Sequence, residues 1–489
     1  RVRYGLMLRE DGVAYDDGTT ARLGENHFIM TTTTANAPLV LRNLEFVRQC
    51  LLPNLDVHLI STTDSWAQYS VAGPNSRRLL QKIVDKPKDI TNENFPFMAC
   101  RELTICGGIM ARLFRISFSG ELAYEIAVPT QYGNALFDAL LSEGQEFNAV
   151  PYGTEALGVM RIEKGHVAGN EINGQTTAQN LGLSRMISKK ADSIGNILSE
   201  REGFNRSDIA TLSGFKPVQR NQKLEAGSHL ISAGKKPTME NDEGWLSSVA
   251  FSPTLGHYIA LGFIKRGETR IGEKVCAVNL LQNKTTEVEI VSPHFMIRKG
   301  INNVAKLELK IKKPLDGYSK VISKIKIAEY QFDNLISLAI PLKSERKCKL
   351  NFKKSLGEPM PNIEKSIINK SGILGFRIGL DLLLVCNPSH SSFVKKTVPS
   401  LKQAFYITDQ TGGWCGVRVD GDRVIEMLER ICPLNLSQKI FAIGDVKRTI
   451  MDHLNVIIFR ETEKKFILFS PSSSSGSFLK SIEISSRNI

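Results

Sequence analysis

The 489-residue chain lacks most of the signatures by which a sequence declares its chemistry. It has no G-x-G-x-x-G and no G-x-x-x-x-G-K-[ST], so the usual dinucleotide and phosphate cradles are excluded, and any flavin or nicotinamide of an associated redox step is held elsewhere. It has no G-x-S-x-G elbow and no His/Cys/Asp set of a hydrolase. Its eight cysteines show no C-x-x-C and no zinc-ligand spacing with its eight histidines, so no metal site is expected and scattered single thiols fit a reducing cytoplasm. No apolar run reaches the roughly 18 to 20 residues that cross a bilayer, and no secretory signal opens the chain; no membrane contact is expected. Arginine-rich helices are missing too. The formal charge of +13 is carried by dispersed lysines, densest between Lys306 and Lys326, which argues against a nucleic-acid partner. A basic pocket for an anionic small molecule is a milder use of the same charge.

What is present reads as a soluble α+β protein of about three domains, with 42% hydrophobic and 23% charged residues. The stretch from Arg1 to Thr34 reads as two strands joined by a turn at Asp11-Gly12, with Asp16-Asp17-Gly18 between them. Strand-like pattern is already under way at Arg1, so the chain is expected to begin inside a domain. Pro38 opens a helix, Leu55 to Ser61 reads as a short strand, and Trp66 to Gly73 as another. Pro74-Asn75 leads into a helix carrying Leu79, Leu80, Ile83 and Val84. Ala111–Ser119 and Ala123–Val128 read as a hairpin around Ser119-Gly120-Glu121. Helices follow over Gly133–Leu141 and Thr154–Glu163, the second stopped by Gly165. From Asp208 to Ser292, short strands and glycine turns predict a small β-barrel. Gly300 to Tyr330, lysine-rich and weakly periodic, reads as a linker or a strand pair.

The last third repeats the first in order. Trp66–Gly73 stands against Trp414–Gly421, Phe114-Arg115 against Phe459-Arg460, Pro129 against Pro471, and Gly24–Met30 against Gly379–Val385. The second copy has Ile467 where the first has Glu125, and the place of Asp16-Asp17 falls near Ser371-Gly372. One copy with acids and one without reads as a working copy and a structural copy.

The acids have two readings each. Asp16 and Asp17 are either a solvated turn, or one solvated acid beside one that faces a pocket and handles a proton or cation. Glu125, in Tyr124-Glu125-Ile126, is either an edge-strand surface acid or a buried carboxylate that accepts paired donors, as a planar N–H/NH₂ ring edge offers them. Glu163, in Arg161-Ile162-Glu163-Lys164-Gly165, reads as a partner in local ion pairs at a helix end, and Glu121 as a turn organiser. Tyr4 is core unless it stands over a ring next to Asp17.

These segments carry a resemblance. Arg3–Gly12 (RYGLMLREDG), Asp16–Thr20 (DDGTT), Val71–Pro74, Phe118–Ile126 (FSGELAYEI), Tyr152–Ala156 and Arg161–Gly165 resemble the tetrahydrofolate-binding C-terminal half of the sarcosine oxidase alpha subunit, which is similar to the glycine-cleavage aminomethyltransferase and to dimethylglycine dehydrogenase. That likeness covers about Arg1 to Ile301. The last 150 or so residues, with Thr408–Trp414 and Arg448-Thr449, resemble the sarcosine oxidase gamma subunit. The resemblance implies an α+β aminomethyltransferase-like folate domain, N-terminally incomplete, over 1–205, a C-terminal β-barrel over 206–298, a linker over 299–335, and a smaller gamma-like α+β domain of related topology over 336–489. It implies that Asp17 assists one-carbon transfer near folate N10, that Tyr4 lines the same pocket and that Glu125 grips the pterin, with Asp16, Glu121, Arg161 and Glu163 in support. Leu157 replaces an arginine that aminomethyltransferases carry on the helix before Arg161, which favours the oxidase branch.

The implied reaction captures the iminium of oxidised sarcosine on tetrahydrofolate, giving 5,10-methylenetetrahydrofolate and glycine. FAD, FMN and NAD are then expected only in partner subunits: an FAD-bearing beta subunit and the remaining N-terminal portion of alpha. Two other readings stay open. One is a non-catalytic assembly subunit that scaffolds flavin subunits; the other is a free-standing glycine-cleavage-type aminomethyltransferase.

Overall fold

The computed structural model describes residues 1–187, 193–296, 313–387, 393 and 397–489. It divides into two compact units: Arg1–Val40 with Tyr69–Ile126 and Phe137–Glu308, and Leu41–Gln68 with Ala127–Leu136 and Leu309–Ile489.

The first unit opens with three strands, not two. β1 (Val2–Leu8), β2 (Ala14–Arg22) and β3 (Phe28–Thr32) form an antiparallel meander in that order. Asp11 and Gly12 make the first turn as expected, with the Asp11 carboxylate accepting the Val13 amide at 3.0 Å and Gly12 at φ 85°. Asp16-Asp17 is therefore not a turn; it lies inside β2. Gly18 follows because β3 passes so close that a Cβ there would collide with the Thr31 carbonyl oxygen.

β4 (Trp66–Ala72), β5 (Cys100–Ile105), β6 (Ile109–Phe114) and β7 (Ala123–Pro129) form a four-stranded sheet in the order β4–β7–β6–β5. The helices α1 (Ala37–Phe46), α2 (Ser76–Ile83), α3 (Gly133–Gly144) and α4 (Thr154–Lys164) fall where proline, glycine and the apolar spacing place them. Gly165 ends α4 at φ 78°, capping it through amide bonds to Arg161 and Ile162. Val2 and Ala21 of the meander pack with Phe114 and Ile116, so β1 and β2 lie against the strand that neighbours β7.

The barrel is closed. β8 (Ala210–Pro217), β9 (His229–Ser232), β10 (Asp242–Ser252), β11 (His257–Lys265), β12 (Lys274–Asn279) and β13 (Lys284–Val291) run in the order β10–β11–β8–β13–β12–β9. Closure leaves no edge strand. Ala14 of β2 and Ile162 of α4 join Leu212, Ile259, Leu261 and Phe263 of the barrel in one buried cluster.

In the second unit, β14 (Ser319–Ile322) and β15 (Ile325–Glu329) extend a six-stranded sheet. Of the two readings of this stretch, linker or strand pair, the described part is the strand pair; residues 299–312 of the expected linker lie outside the described ones. Ile325 and Ile327 are fully buried while Lys320, Lys324 and Lys326 are exposed, so lysines mask a two-residue apolar period at a sheet edge. β16 (Asn334–Ala339), β17 (Ser366–Ile368), β18 (Leu374–Arg377), β19 (Leu382–Asn387) and β20 (Tyr406–Asp409) make a five-stranded sheet, β17–β18–β19–β16–β20. β21 (Trp414–Asp420), β22 (Val446–Met451), β23 (Leu454–Thr462) and β24 (Lys465–Pro471) complete the six-stranded one as β14–β15–β21–β24–β23–β22.

The strand expected over Leu55–Ser61 is also corrected, since the segment has no regular structure. Leu55 and Val57 are about half exposed, so their alternation buries nothing. Asp56 instead fixes the segment, accepting from the Leu342 amide at 3.2 Å and the Tyr406 hydroxyl at 2.9 Å.

Candidate functional site

The meander brings Tyr4 to Asp17. Leu6 pairs with Asp17 and Tyr4 with Thr19, so Tyr4 and Asp17 lie diagonally on one face, within reach of each other. The Tyr4 hydroxyl donates to Asp17 Oδ2 at 2.7 Å. Asp16 points to the opposite face. It is 2% exposed; its Oδ1 accepts the Asp17 amide at 2.9 Å, and its Oδ2 is buried without a hydrogen-bond partner among the described residues. Neither acid is the solvated one of the sequence reading: Asp17 is half-buried and Asp16 more deeply buried still. That β2 is covered on both faces is the reason.

Burial raises the Asp17 carboxyl above the usual carboxylate range; the Tyr4 hydrogen bond opposes this and the neighbouring Asp16 charge adds to it. Tyr4 is pushed well above the ordinary phenol range by burial and then by Asp17, so it stays a neutral donor at any physiological pH.

Glu125 stands on β7, in the four-stranded sheet. Its neighbours Tyr124 and Ile126 are fully buried and Glu125 itself is half-buried, and β7 lies between β4 and β6, which sets aside the exposed-edge reading. Tyr124 turns to the other face, where its hydroxyl accepts from Arg77 Nε at 2.5 Å and its ring stacks on Phe95. Burial pushes the Glu125 carboxyl up to about 7. Burial thus holds both the Asp17 and the Glu125 carboxyl above their ordinary values, as is common at proton-transfer and ligand-binding positions.

The supporting positions separate into structural ones. Glu121 sits in the turn before β7, its amide donating to the buried Ser119 hydroxyl at 3.4 Å. Glu163 is buried at the end of α4 and accepts from the barrel residue Ser252 at 2.5 Å, while its carbonyl takes the amides of Phe295 and Met296. Arg161, two residues earlier, is also buried and pairs with Glu171 at 2.8 Å, donating also to Ser248 Oγ at 2.6 Å and the His166 carbonyl at 3.1 Å. Glu171 is fully buried and accepts further bonds from the Ala168 amide and the hydroxyls of Ser247 and Ser248. The sequence reading missed Glu171 entirely: it lies in a loop, and its partners come from α4 and β10. Among the described residues, no group of three or more His, Cys, Asp or Glu is placed to hold a metal ion, and no helix is long and apolar enough to cross a membrane.

Residues 1–191 match the family described as GCVT N-terminal domain, and residues 211–296 the glycine cleavage T-protein C-terminal barrel domain. The sarcosine oxidase subunit alpha of Rhizobium meliloti (strain 1021) is 50% identical over 297 residues, 60% of this chain and 30% of that protein. An aminomethyltransferase of Chloroherpeton thalassium is 26% identical over 299 residues, 60% of this chain and 77% of that one. The crystal structure of glycine cleavage system aminomethyltransferase T from Bartonella henselae superposes with a TM-score of 0.52 at 22% identity, covering 62% of this chain and 77% of that one, which speaks to the fold. The chain spans 30% of the length of the first of these relatives. Residues 1–191 and 211–296 are thus a GCVT N-terminal domain and its C-terminal barrel domain, together the aminomethyltransferase fold.

Proposed function

We propose that the chain is the folate-binding part of a sarcosine-oxidising complex, in which residues 1–296 capture the one-carbon unit of oxidised sarcosine and the residues from 336 form a gamma-subunit-like domain. The observation that carries this is two half-buried carboxyl groups held above their ordinary values, Asp17 bonded by Tyr4 and Glu125 at about 7, within residues that match a GCVT domain. The 50% identity to a sarcosine oxidase alpha subunit supports the oxidase branch. Oxidation belongs to partners: a beta subunit with FAD, and the rest of alpha, with FMN and NAD bound outside this chain, in the cytoplasm.

A reduced folate offers N–H donors of the kind that half-buried carboxylates such as Asp17 and Glu125 accept. Tetrahydrofolate when bound supplies the amine that takes up the one-carbon unit, with glycine released and 5,10-methylenetetrahydrofolate formed. Glu125 would accept the paired N–H donors of the pterin edge. Asp17 would stabilise positive charge near the bridging amine and hold its proton, with Tyr4 fixing the carboxylate.

A titration tests the reading. Donors bind the ionised Glu125 carboxylate and compete with its proton, so with a free-state value of about 7 tetrahydrofolate should bind about tenfold more weakly at pH 6 than at pH 8. Glu125→Gln should weaken binding and flatten that dependence. The unliganded protein should show the linked effect on stability. Because folding raises this group above its ordinary value of 4.5, its contribution is fully present below that value and is lost as pH rises through about 7. Affinity that is flat between pH 6 and 8, and untouched by Glu125→Gln, would sink the assignment.

A further inference from the structure

We infer that the second unit holds a binding site for a small carboxylic acid with an apolar body, in a cavity where Arg448 supplies the charge that the carboxylate meets.

The cavity has a volume of about 530 Å³, within the range of small-ligand pockets, and all of its lining belongs to the second unit. Strands β22 and β23 form one wall. Arg448 pairs with Ile457 and Ile450 with Asn455, so these four side chains share one face of the sheet, and all four residues line the cavity. Ile457 settles which face it is, because it is buried with Val446 and Phe459 in the cluster between the six-stranded and five-stranded sheets. Trp414 and Pro471, paired across β21 and β24, line the cavity as well. Beside them lie two 3₁₀ turns, Thr63–Ser65 and Thr411–Gly413, which approach so closely that a Cβ on Gly413 would stand 2.5 Å from Ser65 Oγ.

Arg448 has no use in the fold for its charge. Its guanidinium has no hydrogen-bond or ion-pair partner among the described residues. Burial lowers its pKa, with no neighbouring charge to oppose that, yet the residue is exposed to water. A side chain crowded by protein atoms and still wet lies in a concavity, not on a convex surface. It keeps its charge, because a guanidinium titrates far above physiological pH. The first unit shows the same place serving as scaffold alone. β21–β24–β23–β22 repeats the order β4–β7–β6–β5, and Phe459 opposite Val446 matches Phe114 opposite Cys100. Arg448 and Ile457 therefore stand where Glu102 and Arg112 do, and that earlier pair closes on itself at 3.1 Å. In the second unit an isoleucine faces the cation and no acid is paired with it.

The charges select the ligand. Arg448 and Asp64 are the charged residues among those that line the cavity, so a phosphate dianion would meet one cation, one acid and no further base. A carboxylate needs only one guanidinium, which it meets through two parallel N–H···O bonds. Ile450, Ile457, Pro471 and the Trp414 indole lie around the cation and call for an apolar body. The Asp64 carboxylate has no partner among the described residues, so it is open to an ammonium group on the ligand. Simple acids and amino acids share the carboxylate, and the experiment separates them. Nothing in the site depends on the folate reading of the first unit.

The full chain is titrated by calorimetry with 3-phenylpropionate, phenylalanine, 3-phenylpropanol and inorganic phosphate. One equivalent of at least one of the two carboxylates should bind at about 1 mM or tighter, and the uncharged alcohol about tenfold more weakly. Arg448→Gln should weaken carboxylate binding about tenfold. Arg448→Lys should weaken it less, because the charge stays and only the planar fork is lost. Neither should shift the melting temperature, since neither breaks a bond of the fold. Tighter binding of phenylpropionate marks a simple acid, tighter binding of phenylalanine an amino acid with Asp64 as partner of its amine, and equal affinity a site that reads the carboxylate alone. The inference is overturned if neither carboxylate binds at ten times that concentration, if phosphate binds more tightly than both, or if Arg448→Gln leaves binding unchanged.

Discussion

Asp17→Asn, in the proposed complex with a flavin subunit, is expected to lower the yield of methylenetetrahydrofolate by about a hundredfold while sarcosine is still consumed, so that the one-carbon unit leaves as formaldehyde. The substitution keeps the shape of the side chain and an oxygen that can accept the 2.7 Å bond from Tyr4. What it removes is the negative charge and the basic site, whose raised proton affinity comes from burial. Positioned acid–base groups contribute about 10²–10⁴-fold, and the lower bound is the prudent one for a half-buried acid. The measurement is the ratio of formaldehyde to methylenetetrahydrofolate per sarcosine oxidised, and an unaltered ratio would remove Asp17 from the chemistry. Tyr4→Phe is the graded control. Its hydroxyl lowers the Asp17 value, so its loss should move the rising limb of the pH–rate profile upward, with a smaller drop at the plateau.

The second large effect is on stability. Glu171→Ala leaves the buried Arg161 without its carboxylate and strips the Ala168 amide and the Ser248 hydroxyl of their acceptor, while the Ser247 hydroxyl keeps only the Leu261 carbonyl. Removing one partner of a buried pair costs about 3–5 kcal/mol, because the remaining charge stays desolvated. For a unit of this size that is a fall in melting temperature of roughly 10 °C. The double variant Arg161→Leu/Glu171→Leu should recover much of the loss, because no lone charge is left inside. Chemical denaturation of the single and double variants gives both numbers. If Glu171→Ala melts like the parent, the tie between α4 and the barrel is not the one described. Folate affinity should follow only through the packing of α4, since neither residue belongs to the proposed ligand contacts.

Much of this could be read along the chain. Proline at the start of α1, Gly165 after α4 and the glycine turns between Ala210 and Val291 are local signals, decided by which φ angles a residue allows and where an amide is missing. Those signals do not depend on distant contacts, so the helices and the barrel fall where the sequence puts them. β2 was illegible for the opposite reason. Asp16-Asp17-Gly18-Thr19-Thr20 has the composition of a turn, and it is a strand because β1 and β3 pair with it on either side. β15 hid behind its lysines, and the Leu55–Ser61 alternation had no sheet to join.

The sequence by itself determined the residue types and their order: a tyrosine, an acid pair and a lone glutamate in an apolar strand, repeated later with isoleucine and glycine in their places. Only the tertiary structure decided what those residues are. Protonation near neutrality is a property of burial, and burial of Glu125 is supplied by neighbouring strands and not by the tripeptide around it.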